Sequence, residues 1–575
     1  MKRGQRSGGI SDAAMLALIG VLFALGTALW LWGGLAGAVF GGGWPEVHAG
    51  QLLGVLVRLP TRLVDPAGAW PRPARETLPG PAGFYGALGV LVAGAGAAFA
   101  LAARIGLTPR ISRRTQAARW AGGGDLHALR SHSRTRRLAP GGQARAGRLT
   151  LGRYRGRLLH AEERHALVAF GPPQSGKSAG LAVPALLEWD GPAIASSIKT
   201  DLLSCTMQSR RAIGEVLVFD PFGLAGTGSH TWSPLRAAET WDGALESAWR
   251  LAAAGELDQR GVEGGDFWAV AAEQRLAPLL FTAAAAGLGM DAVVRWTYGQ
   301  GARELDEAVA RLTGSPRDEE QLEGAHAAYD ALRAFESQAD RTRTSIEATA
   351  QGLLRAYRFS RVLRSARSTE IVPDALLDGR GTLYLIGDAK ASKLLRPIFL
   401  ALLSEIVDRA YERATLAGGR LELPLLLCLD EAGNVAPLPN LAEIASTAPS
   451  HNIQLVSIFH DLAQARSRYG RQAETVVNSH RARMLLPGVA DLDTLRYFAG
   501  LVGEEEARET TRTTGAGSGG GTRTSGVRRR PLVAAEALRQ LPDRHALLLY
   551  GRLPPAEIRL RMWFADRRLR KLAAP

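Results

Sequence analysis

Between Ala13 and Pro45 the chain carries no charged side chain, and between Thr77 and Ala103 it again carries none. Each run exceeds the roughly 20 residues that a helix needs to cross the hydrocarbon core of a bilayer, so the pattern predicts two membrane-spanning helices. A cleaved signal peptide competes for the first run, because Lys2, Arg3 and Arg6 precede it and Ala36-Gly37-Ala38 resembles a cleavage site. Its apolar stretch is longer than the about 7 to 15 residues of such signals. A buried Gly/Ala-rich helix competes for the second. Arginines follow that second run closely, at 104, 110, 113, 114 and 119, while the connecting segment Glu46 to Glu76 has four Arg against three acidic residues. Positive charge stays on the cytoplasmic side. Both flanks are therefore expected in the cytoplasm, with the connecting loop exported and the chain a multi-pass protein of the plasma (inner) membrane.

The net charge of +15 suggests a nucleic-acid partner until it is located. Residues 101–160 hold fourteen Arg and one acidic residue, Asp125, so nearly all the excess is juxtamembrane. Membrane topology and anionic lipid headgroups account for such a belt as well as a DNA-contacting collar does. Two cysteines, Cys205 and Cys428, stand 223 positions apart and match no metal-ligand or C-x-x-C spacing. They read as reduced structural thiols.

Past the basic belt, "HALVAFGPPQSGKSAGL" places Gly171, Gly176, Lys177 and Ser178 in the pattern G-x-x-x-x-G-K-[ST], after an apolar strand and before a small-residue helix. The glycines let the backbone curl around an anion. Amides from about Gln174 through Ser175 and Gly176 to Ser178 would form the cradle, Lys177 would reach the β- and γ-phosphates, and the Ser178 hydroxyl would hold Mg²⁺. Pro172 and Pro173 lack an N–H but precede that cradle. ATP and Mg²⁺ are thus the expected cofactors.

Short apolar runs bounded by Gly, Pro or Asp recur at Pro192–Lys199, Gly214–Pro221, Gly381–Asp388, Leu423–Gly433, Ile453–His460, Arg481–Gly488 and His545–Gly551. Such runs suit strands buried on both faces, hence an α/β fold on a parallel sheet. From about Ser233 to Leu376 the strand pattern stops and Ala-, Glu- and Arg-rich helical stretches replace it, an inserted all-α domain. The resulting division is an anchor at 1–110, a basic linker at 111–160, a nucleotide-binding domain at 161–232 and 377–575, and the helical insertion at 233–376. The Gly/Ser/Thr-rich, basic segment Thr510–Arg530 reads as a flexible loop.

At the end of "LPLLLCLDEAG" a buried strand delivers Asp430 and Glu431. Asp430 would assist in holding Mg²⁺, and Glu431 would polarise an attacking water. A strand-ending turn with two solvated carboxylates is the bland alternative.

Two spans, "GPPQSGKSAGLAVPALLEWDGPAIASSIKTDLLSCTMQSRRAIGEVLVFDPFG", "WSPL", "GGDFWAVAAEQRLAPLL", the Asp-Glu pair and "RYGRQAETVVNSHRARMLLPGVADLDTL" together resemble the type IV secretion coupling proteins, the TraG/TraD-like conjugation ATPases. The similarity runs over nearly the whole chain, in order. It implies a membrane-anchored, RecA-like P-loop ATPase domain, hexameric when active. Such a protein would receive single- or double-stranded DNA with its relaxase, or protein cargo, and drive it into a type IV channel through contacts with inner-membrane channel components.

The resemblance also exposes a departure. Members often carry Gln at the end of the strand after the Asp-Glu strand, as a sensor of the γ-phosphate, where this chain has His460. A neutral imidazole donates one hydrogen bond, so the role survives in principle, on a group that titrates where an amide does not. For an arginine reaching a neighbour's nucleotide the candidates are Arg341 and Arg343, with Arg481 and Arg483 as competitors. Two other functions remain open at this point: an FtsK-like DNA-segregation pump, and a receptor platform that binds ATP without useful turnover.

Overall fold

The computed structural model describes the backbone of residues 12–105, 117–130, 148–258, 265–513 and 522–573. The chain divides into two compact units, Met1–Gln116 and Ala117–Pro575.

In the first unit, helix α1 (Asp12–Phe40) and helix α3 (Pro81–Ile105) flank a shorter helix α2 (Ala49–Arg58). Trp32 of α1 donates its indole N–H to the Phe84 carbonyl of α3 at 2.8 Å. Trp70, from the connecting segment, packs edge-on against both Trp32 and Phe84. Only one helix among the described residues, through Phe23–Phe40, is long and apolar enough to cross a membrane, where the sequence led us to expect two. The second uncharged run is helical as well, but its apolar part with described side chains, Pro81–Ala97, is shorter than a span.

The second unit is built on an eleven-stranded sheet in the order β2-β1-β13-β12-β9-β3-β8-β7-β4-β6-β5. Its strands are β1 (Thr150–Tyr154), β2 (Arg157–His160), β3 (Leu167–Phe170), β4 (Ala193–Ser197), β5 (Val216–Phe219), β6 (Thr382–Ile386), β7 (Leu425–Leu429), β8 (Ile453–Phe459), β9 (Ala482–Leu485), β12 (His545–Tyr550) and β13 (Ala556–Arg559). The seven apolar runs read from the sequence, and the one before the glycine loop, are all strands. From β9 to β5 every pairing is parallel. Alternate residues of β3 enter cores on opposite faces: Val168 and Phe170 on one, Leu167 and Ala169 on the other. Burial on both faces is why these strands read as continuous apolar runs.

The expected parallel sheet is in fact mixed. Strands β12, β13, β1 and β2 continue it antiparallel from β9. β12 returns into β13 after five residues, a connection short enough only for an antiparallel pair. β1 and β2 occupy 150–160, so the end of the segment expected as linker is part of the sheet.

A second correction concerns 510–530. Instead of a loop, β10 (Glu504–Thr513) and β11 (Thr522–Pro531) pair antiparallel as a separate two-stranded ribbon. Threonine is at home in strands, and Glu505 meets Arg530 across the ribbon at 2.7 Å. The Gly-rich stretch 515–521 lies outside the described residues.

The insertion between β5 and β6 is helical: α6 (Trp241–Asp258), α7 (Gly265–Ala285), α8 (Met290–Thr297), α9 (Ala302–Gly314), α10 (Glu319–Glu336), α11 (Asp340–Leu354) and α12 (Ser360–Arg364), after α4 (Val183–Glu188) and α5 (Asp201–Arg211) earlier in the chain. The helices of the insertion pack on one face of the sheet through a core that includes Leu251, Leu280, Phe281 and Tyr357, while α4 and α5 contribute Leu186 and Leu202 to the core on the other face.

Candidate active site

Strands β3, β8 and β7 are neighbours and parallel, so their C-terminal ends open onto one crevice. This is where open α/β sheets place ligands. β3 delivers the glycine loop, β7 the acidic pair and β8 His460.

The loop conformation demands its residue types. Gly176 sits at φ +89, and a Cβ there would lie 2.3 Å from Met562 Cε. At Gly171 a Cβ would meet Ser175 Oγ at 2.4 Å, and its N–H donates to Phe459 O at 3.0 Å, stitching the loop to β8. Gln174 takes φ +67. After Lys177 the chain enters a π-helical turn, Ser178–Ala182, that leads into α4.

Five side chains expected from the sequence to act together do meet here. Ser178 Oγ donates to Asp430 Oδ2 at 2.6 Å. Lys177 Nζ lies 3.3 Å from Glu431 Oε1 and 3.0 Å from His460 Nδ1. His460 Nε2 lies 3.1 Å from Glu431 Oε2, which also accepts from Asn434 Nδ2 at 2.7 Å. Lys177, Asp430 and Glu431 are buried. An ammonium only donates, so Nδ1 accepts and the imidazole is assigned as the Nε2–H tautomer, donating to Glu431.

The two adjacent carboxylates sit in opposite electrostatic settings. Burial pushes Asp430 up to about 6, against the opposing Ser178 hydroxyl bond and Lys177 charge. Burial acts on Glu431 in the same sense, yet the bonds from His460 and Asn434 and the charge of Lys177 hold it at about 2. Glu431 is therefore an anion held by Lys177 and two hydrogen bonds, whereas at Asp430 burial outweighs the Lys177 charge and the Ser178 bond. Asp430 Oδ1 and Ser175 Oγ are both buried without a hydrogen-bond partner. A divalent cation beside Asp430 and Ser178, and an anion cradled at Ser175, fit these unmet groups.

The crevice has a volume of about 620 Å³, in the range of small-molecule sites. Gln174 to Ser178, Asp430, Glu431 and His460 line it. So do Ser197 at the end of β4 with Lys199 and Asp201 beyond it, and, not singled out by reading the sequence, Asn434, Asp543 and Arg544 before β12, and Met562 and Phe564 after β13. The Arg544 guanidinium stands 5.8 Å from the centre of the Phe564 ring. "SSIKTDL" was a visible signal for the β4 group, whereas nothing local marks the C-terminal residues.

None of the four candidate arginines lines this crevice. Arg343 binds Asp340 Oδ1 at 2.6 Å and Glu336 O at 3.2 Å. Arg481 pairs with Glu162 at 3.0 Å. Arg483 is tied to the Val477 and Asn478 carbonyls. Arg341 is exposed and has no ion pair among the described residues. His480, in the late "VNSHRARMLLPG", is fully buried between Val476 O and Ser457 Oγ, a packing role away from the crevice.

Residues 119–574 match the family described as type IV secretory system conjugative DNA transfer. The conjugal transfer protein TraG of Escherichia coli is 24% identical over 417 residues, covering 67% of this chain and 63% of TraG. Protein VirD4 of Rhizobium rhizogenes is 23% identical over 461 residues, covering 79% of this chain and 66% of VirD4. The chain thus aligns with somewhat under two thirds of the length of these relatives. In fold it is similar to the plasmid coupling protein TrwB solved in complex with ADP and Mg²⁺, with a TM-score of 0.55, 18% identity, and coverage of 78% of this chain and 94% of TrwB.

Proposed function

Because the chain belongs to the type IV secretory system conjugative DNA transfer family, we propose that it is a membrane-anchored ATPase that couples DNA, with its relaxase, or protein cargo to a type IV channel. Residues 161–232 and 377–575, with the strands at 150–160 that extend their sheet, act as the RecA-like motor, 233–376 as the inserted all-α domain, and 1–110 as the anchor. The working form is a homohexamer with both termini cytoplasmic and with α1 and α3 in the inner membrane. The observation that carries the reading is the convergence of Lys177, Ser178, Asp430, Glu431 and His460 on one glycine loop, with Asp430 Oδ1 and Ser175 Oγ left unmatched.

Each residue has a task that its surroundings support. The loop amides from Gln174 to Ser178 bind phosphate oxygens, and Lys177 turns from Glu431 and His460 toward them. Ser178 and Asp430 would hold Mg²⁺, which would supply charge neutralisation to the phosphates. Glu431, freed from Lys177, orients and polarises a water. His460 keeps Glu431 in position through Nε2–H and exposes Nδ1 as Lys177 leaves. Arg544 and Phe564 at the rim offer a flat surface and a cation to the nucleobase.

ATP hydrolysis by the full-length chain in detergent micelles tests the reading directly. Lys177→Ala should abolish turnover while leaving membrane insertion intact, since the change removes a phosphate contact and no core packing. Normal turnover in that variant would end the assignment.

A further inference from the structure

Between α11 and β6 the chain reads RAYRFSRVLRSAR, with arginine at every third position: 355, 358, 361, 364 and 367. All five are exposed. None has a carboxylate partner among the described residues, in a protein where Arg250, Arg295, Arg409 and Arg413 each have two. Arg355 and Arg358 share a 3₁₀ turn, Arg355–Arg358, in which a spacing of three puts side chains in line. Arg361 and Arg364 share α12 and line one cavity of about 310 Å³ with Phe222, Gly223, Gly228, Ser229 and Thr231.

That cavity lies at the C-terminal end of β5, on the same edge of the sheet as the glycine loop. Five strand steps separate β5 from β3, about 24 Å. It is therefore distinct from the nucleotide crevice. The sole carboxylate in its lining, Asp220, is turned inward and accepts Ala225 N–H at 2.7 Å. Arg361 is aimed by a bond to Phe222 O at 3.1 Å, and Arg358 lies 5.0 Å from the centre of the Tyr298 ring. Between the two arginine pairs stands Phe359, 50% exposed and edge-on to Phe222.

We infer that the Arg355–Arg367 segment is a single-stranded DNA track, in which the arginines meet successive backbone phosphates and Phe359 offers a stacking face to a base. Uncompensated cations at a regular interval beside an exposed aromatic ring are the elements of sequence-tolerant strand binding. An acidic protein surface would meet the same charges, but it makes no use of the exposed ring. The inference rests on the DNA-transfer reading above and specifies a surface for it.

The test measures binding of a thymidine 30-mer to the full-length chain in detergent, as a function of salt. Each phosphate contact on a single strand contributes about 0.7 to the slope of log K against log salt. Arg361→Gln with Arg364→Gln should lower the slope by about 1.4 and weaken binding roughly 25-fold at 0.1 M salt. The paired Lys substitutions should keep the slope, and Phe359→Ala should weaken binding about fivefold or more with the slope unchanged. An unaltered slope in the double Gln variant overturns the proposal, as does a loss that the Lys pair shares, which marks a structural role. Loss of binding to a protein cargo with DNA binding unaltered assigns the surface to protein and also overturns it. A wild-type chain without salt-dependent DNA binding removes the DNA-transfer reading together with the track.

Discussion

His460 Nδ1 lies 3.0 Å from Lys177 Nζ, joining two residues 283 positions apart in the chain. Since Nε2 faces Glu431, one imidazole links Lys177 to the acidic residue that follows Asp430. The histidine expected from the resemblance at a sensor position thus bridges the glycine loop and the acidic pair. The ring accepts on one side and donates on the other.

An amide accepts through its oxygen and donates through its nitrogen, so His460→Gln has the means to keep both contacts. Its cargo-stimulated ATP hydrolysis should stay within about 0.5 kcal/mol of wild type in activation free energy. His460→Ala should lose about 1.5 to 3 kcal/mol, roughly tenfold to a hundredfold in rate, because a hydrogen bond to a charged group disappears from each side. Equal rates in all three proteins would remove His460 from the mechanism.

Arg341, exposed and without an ion pair among the described residues, is the candidate we retain for action across a subunit boundary. Arg341→Ala should reduce turnover of the assembled protein on the order of 10³-fold. Mixing it with Lys177→Ala subunits distinguishes a role in trans, since each variant then supplies what the other lacks. Failure of the mixed assemblies to regain activity would exclude that role.

Charge placement around the two apolar helices predicts where the ends lie. Accessibility labelling in intact cells should modify cysteines introduced between Glu46 and Glu76 and spare tags at the N-terminus and at Pro575. Labelling of the C-terminal tag would overturn the proposed topology and its two spans.

Burial holds His480 down at about 4, against an ordinary imidazole value of 6.5. The unfolded chain therefore binds a proton that the folded chain refuses. The stability contribution is complete above about pH 6.5 and is lost as pH falls from there toward 4. At pH 5 this amounts to about 2 kcal/mol for His480. Denaturant unfolding at pH 7.5 and pH 5 should show a smaller pH difference in His480→Asn than in wild type, whatever the variant's absolute stability. An identical difference would mean that His480 takes up a proton equally in both states.

Sequence and structure divide along the range of the interactions involved. The glycine loop, the buried strands that deliver Asp430 and His460, and the helical insertion were legible because each is written in a short, contiguous pattern: apolar runs for strands covered on both faces, glycine where a positive φ or close approach requires it, helical periodicity between. The site's membership followed from those local patterns. Its wiring did not. That Ser178 meets Asp430 across 252 positions, and that His460 stands between Lys177 and Glu431, depends on β3, β8 and β7 lying side by side in register, which no local pattern encodes. The run that becomes β12 was legible, but its antiparallel pairing with β9 and the strands β13, β1 and β2 beyond it were not, since β13, β1 and β2 are four or five residues long and rich in Arg, and with them went Arg544, Met562 and Phe564 at the crevice. The segment 510–530 read as a loop because Thr, Arg and Gly suggest solvent, yet 504–513 and 522–531 pair as a ribbon with Glu505 opposite Arg530. Composition determined which segments are buried; only the tertiary structure decided which of their ends face one another, because strand order and register are settled by the packing of the whole sheet.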